Sequence, residues 1–322
     1  MKTRPLKVMQ GSRTKQPEFN FSTYSKNFPN LMMLYSNPSK FIGAASFSLL
    51  ALLSLTPSVK SQEIETAPAT CPNNPTDFGS VGGFCVLTPE QYGVKIYEMG
   101  LCTSNPITSR GIAKDSCYTS LENTNPAITD FAKGNSFILN SQKEIKERPK
   151  TANYTHAYIV ISPEFQLKFT YKVNNVNYYS NGVNSSAFNP TNNATTTGPA
   201  KSFIESLNDF GDPEEGFSDS AKAEVSGGVI TAVLTDSNLK RSTSAAQTTR
   251  LVGVFVPSKP ISITDKTKGL EVKFVVTNQG GGAESCAGGG RGDEEREEGP
   301  PEGLDQVCRF GSGPFSAIFS PF

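Results

Sequence analysis

The chain has 322 residues, 30 Lys+Arg against 30 Asp+Glu, one His and no Trp, and its formal charge of zero is a sum of two opposed segments. Residues 1–61 hold eight basic residues and one acid (+7), which leaves 22 basic and 29 acidic residues (−7) in residues 62–322. With 36% hydrophobic and 19% charged residues, 28 Gly and 22 Pro, the composition argues against a multi-span membrane protein, a coiled coil and a basic nucleic-acid binder.

The first segment is a leader. Phe41–Leu55 (FIGAASFSLLALLSL) is an uncharged, mostly apolar run behind Lys40, closed by Thr56-Pro57, with Val59 and Ser61 at the −3 and −1 positions before Gln62. A basic region, an apolar run and small residues before a cut are the signature of a signal peptide. The run is 15 residues, and spanning a bilayer takes about 20. The region ahead of the run is long, and Met32 or Met33 supplies an alternative start; from Met33 the leader is 29 residues. The expected organisation is therefore residues 1–61 as signal peptide and a mature chain from Gln62.

All six cysteines follow the cut: Cys71, Cys85, Cys102, Cys117, Cys286 and Cys308. An even count in an exported segment reads as disulfides formed in an oxidising compartment. Six cysteines allow 15 connectivities. Sequential pairing is expected, because short loops close at the lowest entropic cost, with about 3 kcal/mol from each bridge. A zinc–thiolate site would want tighter spacing than the 14 residues of the closest pair, and His156 is the only histidine.

Along the mature chain, residues 62–90 read as an irregular Pro/Gly-rich arm. Tyr92–Leu101 (YGVKIYEMGL) alternates imperfectly as a strand. Phe137–Leu139 is a second short strand, and Lys143–Lys150 a polar connector. Tyr154–Ser162 and Phe165–Val173 are β-branched and aromatic runs around Pro163-Glu164, either a hairpin or one bent long strand. In the second run Phe165, Leu167, Phe169 and Tyr171 share a face, and Asn177–Ser180 extends it. Residues 181–200, rich in Asn, Thr and Ser, read as a long loop. Lys201–Leu207 reads as a short helix. Strands follow at Val229–Leu234, Leu251–Val256, Pro260–Ile263 and Leu270–Thr277. Residues 280–313 form a flexible Gly/Glu-rich loop whose 280–301 tract cannot bury a core, and 314–322 hold a terminal strand at Phe315–Phe319. Seven to nine short strands with little helical periodicity describe an all-β, disulfide-containing β-sandwich, immunoglobulin-like in kind, with long polar loops; its body is residues 91–279.

Chemistry-bearing patterns are sparse. There is no GxSxG, GxGxxG or GxxxxGK[ST], and a lone His156 in a strand gives a catalytic triad one base and no visible partner. Asp209, Asp212, Glu214 and Asp219 concentrate hard oxygen ligands in a Gly/Pro-kinked stretch and form the candidate calcium site, without the spacing of an EF-hand. No other cofactor is implied. Arg291-Gly292-Asp293 is a bare adhesion tripeptide in an acidic run, and sequons stand at Asn153, Asn184 and Asn193. Terminal Phe322 would suit an outer-membrane barrel, but residues counted back from it do not alternate.

The opening Cys85-Val86-Leu87-Thr88-Pro89, then YGVKIYEMGLC, then Tyr154-Thr155 with Ile159 resembles exported bacterial proteins, common in marine genomes, that carry a prealbumin-like β-sandwich. The likeness covers about residues 85–172 and departs at Asn153, where that group has Gly, and at Ala157, where it has Arg. It implies fold and export, and no catalytic residue. The functional expectation is a secreted or cell-surface protein, with a periplasmic location as a variant. It acts by binding, adhesion or self-assembly, without catalysis, nucleic acid or stable membrane insertion of the mature chain. The alternative is a carbohydrate-binding module or carbohydrate-active enzyme presenting Tyr171, Tyr178 and Tyr179.

Overall fold

A computed structural model describes residues 68–134, 136–139, 148–187, 190–211, 216–285 and 306–322. The expected leader, Asp212, Glu214 and the Arg291-Gly292-Asp293 tripeptide lie outside the described residues.

The first strands are β1 (Phe84–Leu87), β2 (Gln91–Cys102), β3 (Ile107–Thr108), β4 (Gly111–Ile112), β5 (Cys117–Glu122), β6 (Ile128–Asp130) and β7 (Ser136–Leu139). Then come β8 (Ala152–Tyr154), β9 (His156–Ile161), β10 (Glu164–Lys168), β11 (Thr170–Val173), β12 (Val176–Ser180), β13 (Ser185–Ser186), β14 (Ala194–Thr195) and β15 (Phe203–Ser206). The last group is β16 (Ser220–Val225), β17 (Gly228–Thr235), β18 (Arg250–Pro257), β19 (Ile261–Ile263), β20 (Leu270–Val275), β21 (Gly281–Ser285), β22 (Val307–Ser312) and β23 (Ser316–Pro321). Helix among the described residues is limited to single 3-10 turns, such as Phe131–Lys133. The fold is all-β and disulfide-bonded, as expected, with more and shorter strands than the sequence suggested.

The spine is β2. Its first residues pair with β10 on one edge and β6 on the other, and from Ile96 to Cys102 it pairs with β9, with β5 opposite. Register shifts at Ile96/Glu98 and Met99/Gly100 are bulges, the usual means by which a strand bends between sheets. β9 and β10 follow the same bend, and the Ser162 N–H donates to the Lys95 carbonyl at 3.0 Å where they turn. The two runs around Pro163 are thus one bent strand, because both lie along β2 and not along each other. From β9 the large sheet continues through β18 and β17 to β16, and from β10 through β15 to β13. Three three-stranded sheets, β1–β21–β22, β11–β12–β14 and β7–β20–β23, and two strand pairs, β8–β19 and β3–β4, complete the described strands.

One face of the Phe165–Tyr171 run is buried as expected, with Phe165, Leu167 and Phe169 at 1% exposure or less. Phe131 lies at the centre of an aromatic cluster: its ring stacks on Phe274 at 4.3 Å and meets Phe315 edge-on at 5.4 Å, with Tyr92 at 5.9 Å. A second cluster stacks Phe169 on Phe310 at 5.1 Å. Cross-links follow the expected pairing for Cys71–Cys85 and Cys102–Cys117. Cys308 is also disulfide-bonded, and Cys286 lies outside the described residues.

Several local expectations need correction. Phe203–Ser206, expected to be helical, is strand β15, because Phe203 and Glu205 are buried at alternate positions against β10. Residues Asn177–Ser180 do not extend the preceding strand. They return beside it, since Asn174 and Asn175 take φ of +46° and +62°, the left-handed pair of a type I′ turn. The 181–200 stretch contributes β13 and β14. The N-terminal arm supplies β1 and the buried Phe78. The 280–313 stretch, expected as a loop, contains β21 and β22, and β21 is almost wholly buried. Its glycines are the reason: a Cβ on Gly281 would lie 2.1 Å from the Phe169 ring, so only a bare backbone lets that ring close over the strand. Gly281→Ala should therefore overpack this contact and destabilise the protein by roughly 1–3 kcal/mol. Chemical denaturation of the oxidised chain checks this.

Candidate functional site

Of the candidate calcium residues, the two among the described residues, Asp209 and Asp219, are engaged within the protein. Asp209 is 4% exposed, and its Oδ1 accepts the N–H groups of Gly211 (2.7 Å) and Ser218 (3.1 Å), pinning the two ends of its loop. Both Asp219 oxygens lie 2.7 Å from Arg241 Nη1. No group of three or more His, Cys, Asp or Glu is placed to hold a metal among the described residues.

The other sequence candidates are dispersed. His156 Nδ1 lies 2.8 Å from the Thr155 hydroxyl, and partial burial lowers its pKa. Tyr171 and Tyr178 are buried, the Tyr171 hydroxyl donating to the Pro72 carbonyl at 3.0 Å. Tyr179 is covered by Gly198, where an added Cβ would stand 2.8 Å from the ring. Tyr171 and Tyr178 therefore offer no open stacking platform for a sugar, while Tyr179 is half-buried. Asn193 is fully buried and exchanges two hydrogen bonds with the Phe310 backbone, at 2.9 and 2.8 Å, so its amide cannot carry a glycan in this fold. Asn153 and Asn184 are exposed.

A polar cluster unnoticed in the sequence sits on β2, β5 and β9. The Glu98 carboxylate accepts the Tyr158 hydroxyl, the Thr119 hydroxyl (2.9 Å) and the Lys114 ammonium (2.9 and 3.0 Å). Burial works to raise the Glu98 pKa, but these donors outweigh it and hold the carboxyl below its ordinary range. Burial, reinforced by the Glu98 charge, raises the Tyr158 pKa. A carboxylate met by three donors is a clamp more than a base. It joins three strands beside the Cys102–Cys117 bridge. Glu98 was illegible because the β2 bulge breaks the alternation that would have marked it as facing inward.

An open sheet edge lies along β23. Among the described residues the β7–β20–β23 sheet ends at β23. Phe322 and Gly269 exchange both backbone hydrogen bonds (3.0 and 3.1 Å), which fixes the alternation up the ladder. Ser320, Ile318 and Ser316 then bond to β20, while Ala317, Phe319 and Pro321 direct their backbone groups to the free edge. Alongside runs a groove of about 520 Å³, bounded by Phe319 and Pro321 on one wall and Pro257, Lys259, Pro260 and Ile261 on the other. Ile318 is 52% exposed and Phe322 54%. Natural edges are usually blunted by charge. The edge strand β16 carries Lys222 and Glu224, but β23 (SAIFSP) carries no charge. A second cavity, lined mostly by apolar side chains, has a volume of only about 30 Å³ between β9, β18 and β20, too small for an organic ligand.

Comparison of the chain with protein-family models, characterised proteins and solved structures finds no match. No helix among the described residues is long and apolar enough to cross a membrane.

The Glu98 clamp has a pH signature. Its carboxyl pKa is lower folded than the ordinary 4.5, so its stabilisation is complete above that value and is lost as pH falls through the folded pKa. Glu98→Gln should cost roughly 1–3 kcal/mol at neutral pH. It should also flatten the acid limb of stability, as read from thermal melts between neutral and acidic pH.

Proposed function

We propose that this is an exported β-sandwich protein, secreted or held at the cell surface, that acts by binding without catalysis, and that it self-assembles by strand addition at β23. The carrying observation is the free edge: Ala317 and Phe319 direct outward, from an uncharged strand, N–H and C=O groups that no described residue pairs, beside a groove of mixed apolar and polar lining. Main-chain bonding of this kind supplies affinity, while the adjoining pocket selects side chains. The edge is self-complementary. In an antiparallel two-fold pairing centred on Ile318, Ala317 of one copy faces Phe319 of the other and the reverse, giving four backbone bonds and covering the exposed Ile318 of both copies.

The terminal strand completes its own sheet here, so subunits would add edge to edge without exchanging it. Export is supported by the disulfides, which form in oxidising compartments, by the leader pattern, and by the likeness of residues 85–172 to exported prealbumin-like proteins.

The test is the mass of the oxidised chain from Gln62 onward, by sedimentation across a concentration series. Wild type should associate. Ala317→Pro removes an edge donor without touching the β20 ladder, and Ile318→Lys places a charge at the centre of the pairing; both should remain monomeric with melting temperatures near wild type. A wild-type chain that stays monomeric at every concentration, or variants that associate equally well, would overturn the proposal. If the proline variant does not fold, the lysine variant decides.

A further inference from the structure

Glu205 on β15 is a carboxylate 1% exposed to solvent, in the interior where β15 meets β22. Among the described residues its donors come from one: the Ser312 N–H, at the end of β22, and the Ser312 hydroxyl. One residue on, the Gly313 carbonyl accepts the Tyr92 hydroxyl from β2 at 3.0 Å. Two contacts thus tie the Ser312–Gly313 corner to the large sheet, and the chain goes from there through Phe315, in the aromatic cluster, to β23.

We propose that Glu205 is a proton-operated latch, closed when its carboxyl is neutral and loosened when it ionises, which controls how firmly the Ser312–Phe315 corner is seated. An anion in a dry interior needs compensation, and the groups around it supply little. From β10 its direct partner is Phe165, and from β13 Ser185. From β2 comes the Tyr92 phenol, itself pushed towards the neutral form by burial and then by Glu205. The nearby charged groups of the β1–β21–β22 sheet, Glu284 and Arg309, pair with each other. The cheapest way to hydrate the charge is to release Ser312 and admit water at the corner.

Burial raises the Glu205 pKa to about 7 despite the two Ser312 donors, from an ordinary 4.5. Because the folded pKa lies above that of the opened state, the closed corner is most stable below 4.5 and loses stability as pH rises to about 7, levelling off beyond. This is opposite in sign to the Glu98 clamp.

The test is amide hydrogen exchange on the full disulfide-bonded chain at dilution where it is monomeric, so the outcome is independent of self-association. Exchange at Ser312 and Gly313, corrected for intrinsic pH dependence, should quicken roughly tenfold per pH unit between pH 5 and 7 and plateau above. Amides of Val233 and Val252, in the β17–β18 core, should not follow it. In Glu205→Gln, which is neutral at every pH, the corner should exchange at a pH-independent corrected rate. Corner amides with flat corrected rates in wild type, or with the wild-type profile in the glutamine variant, would overturn the latch. Should that variant not fold, the wild-type comparison of corner and core amides decides alone.

Discussion

Strand β2 has neighbours on both edges along both of its halves, and it bends between them. A flat strand would serve one sheet. The bulges at Ile96/Glu98 and Met99/Gly100 let β2 begin between β6 and β10 and end between β5 and β9. Everything else is placed by that bend: β9–β10 must follow it, the large sheet grows outward from β9 and β10, and the aromatic cluster around Phe131 fills the angle on the inside, with Tyr92 of β2 as one wall. The bend also explains why the chain breaks into short strands, since pairing partners on either side change where the frame turns.

The same frame sorts the buried polar groups into opposite roles. Glu98 lies where a bulge brings it among donors from two further elements, and hydrogen bonds overcome the cost of burial. Glu205 lies between sheets where, among the described residues, Ser312 alone donates to it, and burial wins. Two glutamates of the same intrinsic acidity thus respond to pH with opposite sign, because of the number and charge of the donors each one meets. At the periphery, β23 keeps its core-facing residues packed, Phe319 against Phe255, while its outer edge carries no charge and is covered by no strand among the described residues.

Legibility in the sequence followed side-chain alternation. The Phe165–Tyr171 run shows its buried face directly, as do most of the strands of the 229–277 region. Where the signal is carried by backbone, the sequence is silent or misleading. Gly281–Ser285 reads as a flexible tract because glycine has no side chain to alternate, yet that absence is what brings the Phe169 ring onto the strand. Phe203–Ser206 contains too few residues to separate strand from helix, and Asn174-Asn175 reads as part of an Asn-rich stretch until its left-handed turn is seen. Of the candidate site residues, Asp209 and Asp219 turned out to hold loops and an ion pair, and the buried ionisable groups Glu98, Tyr158 and Glu205 had no motif.

The sequence by itself determined the all-β class and the buried stripe of the longest run, and made sequential pairing of the first four cysteines the expectation, because composition, loop length and period-two alternation are local quantities. Only the tertiary structure decided which strands neighbour one another, that β2 bends, that β23 is an edge, and which acids are stabilised as anions. Those depend on contacts between residues far apart in the chain, such as Glu205 with Ser312 and Tyr92 with Gly313. No local pattern encodes the dielectric or the donors that a side chain meets once the sheets have closed around it.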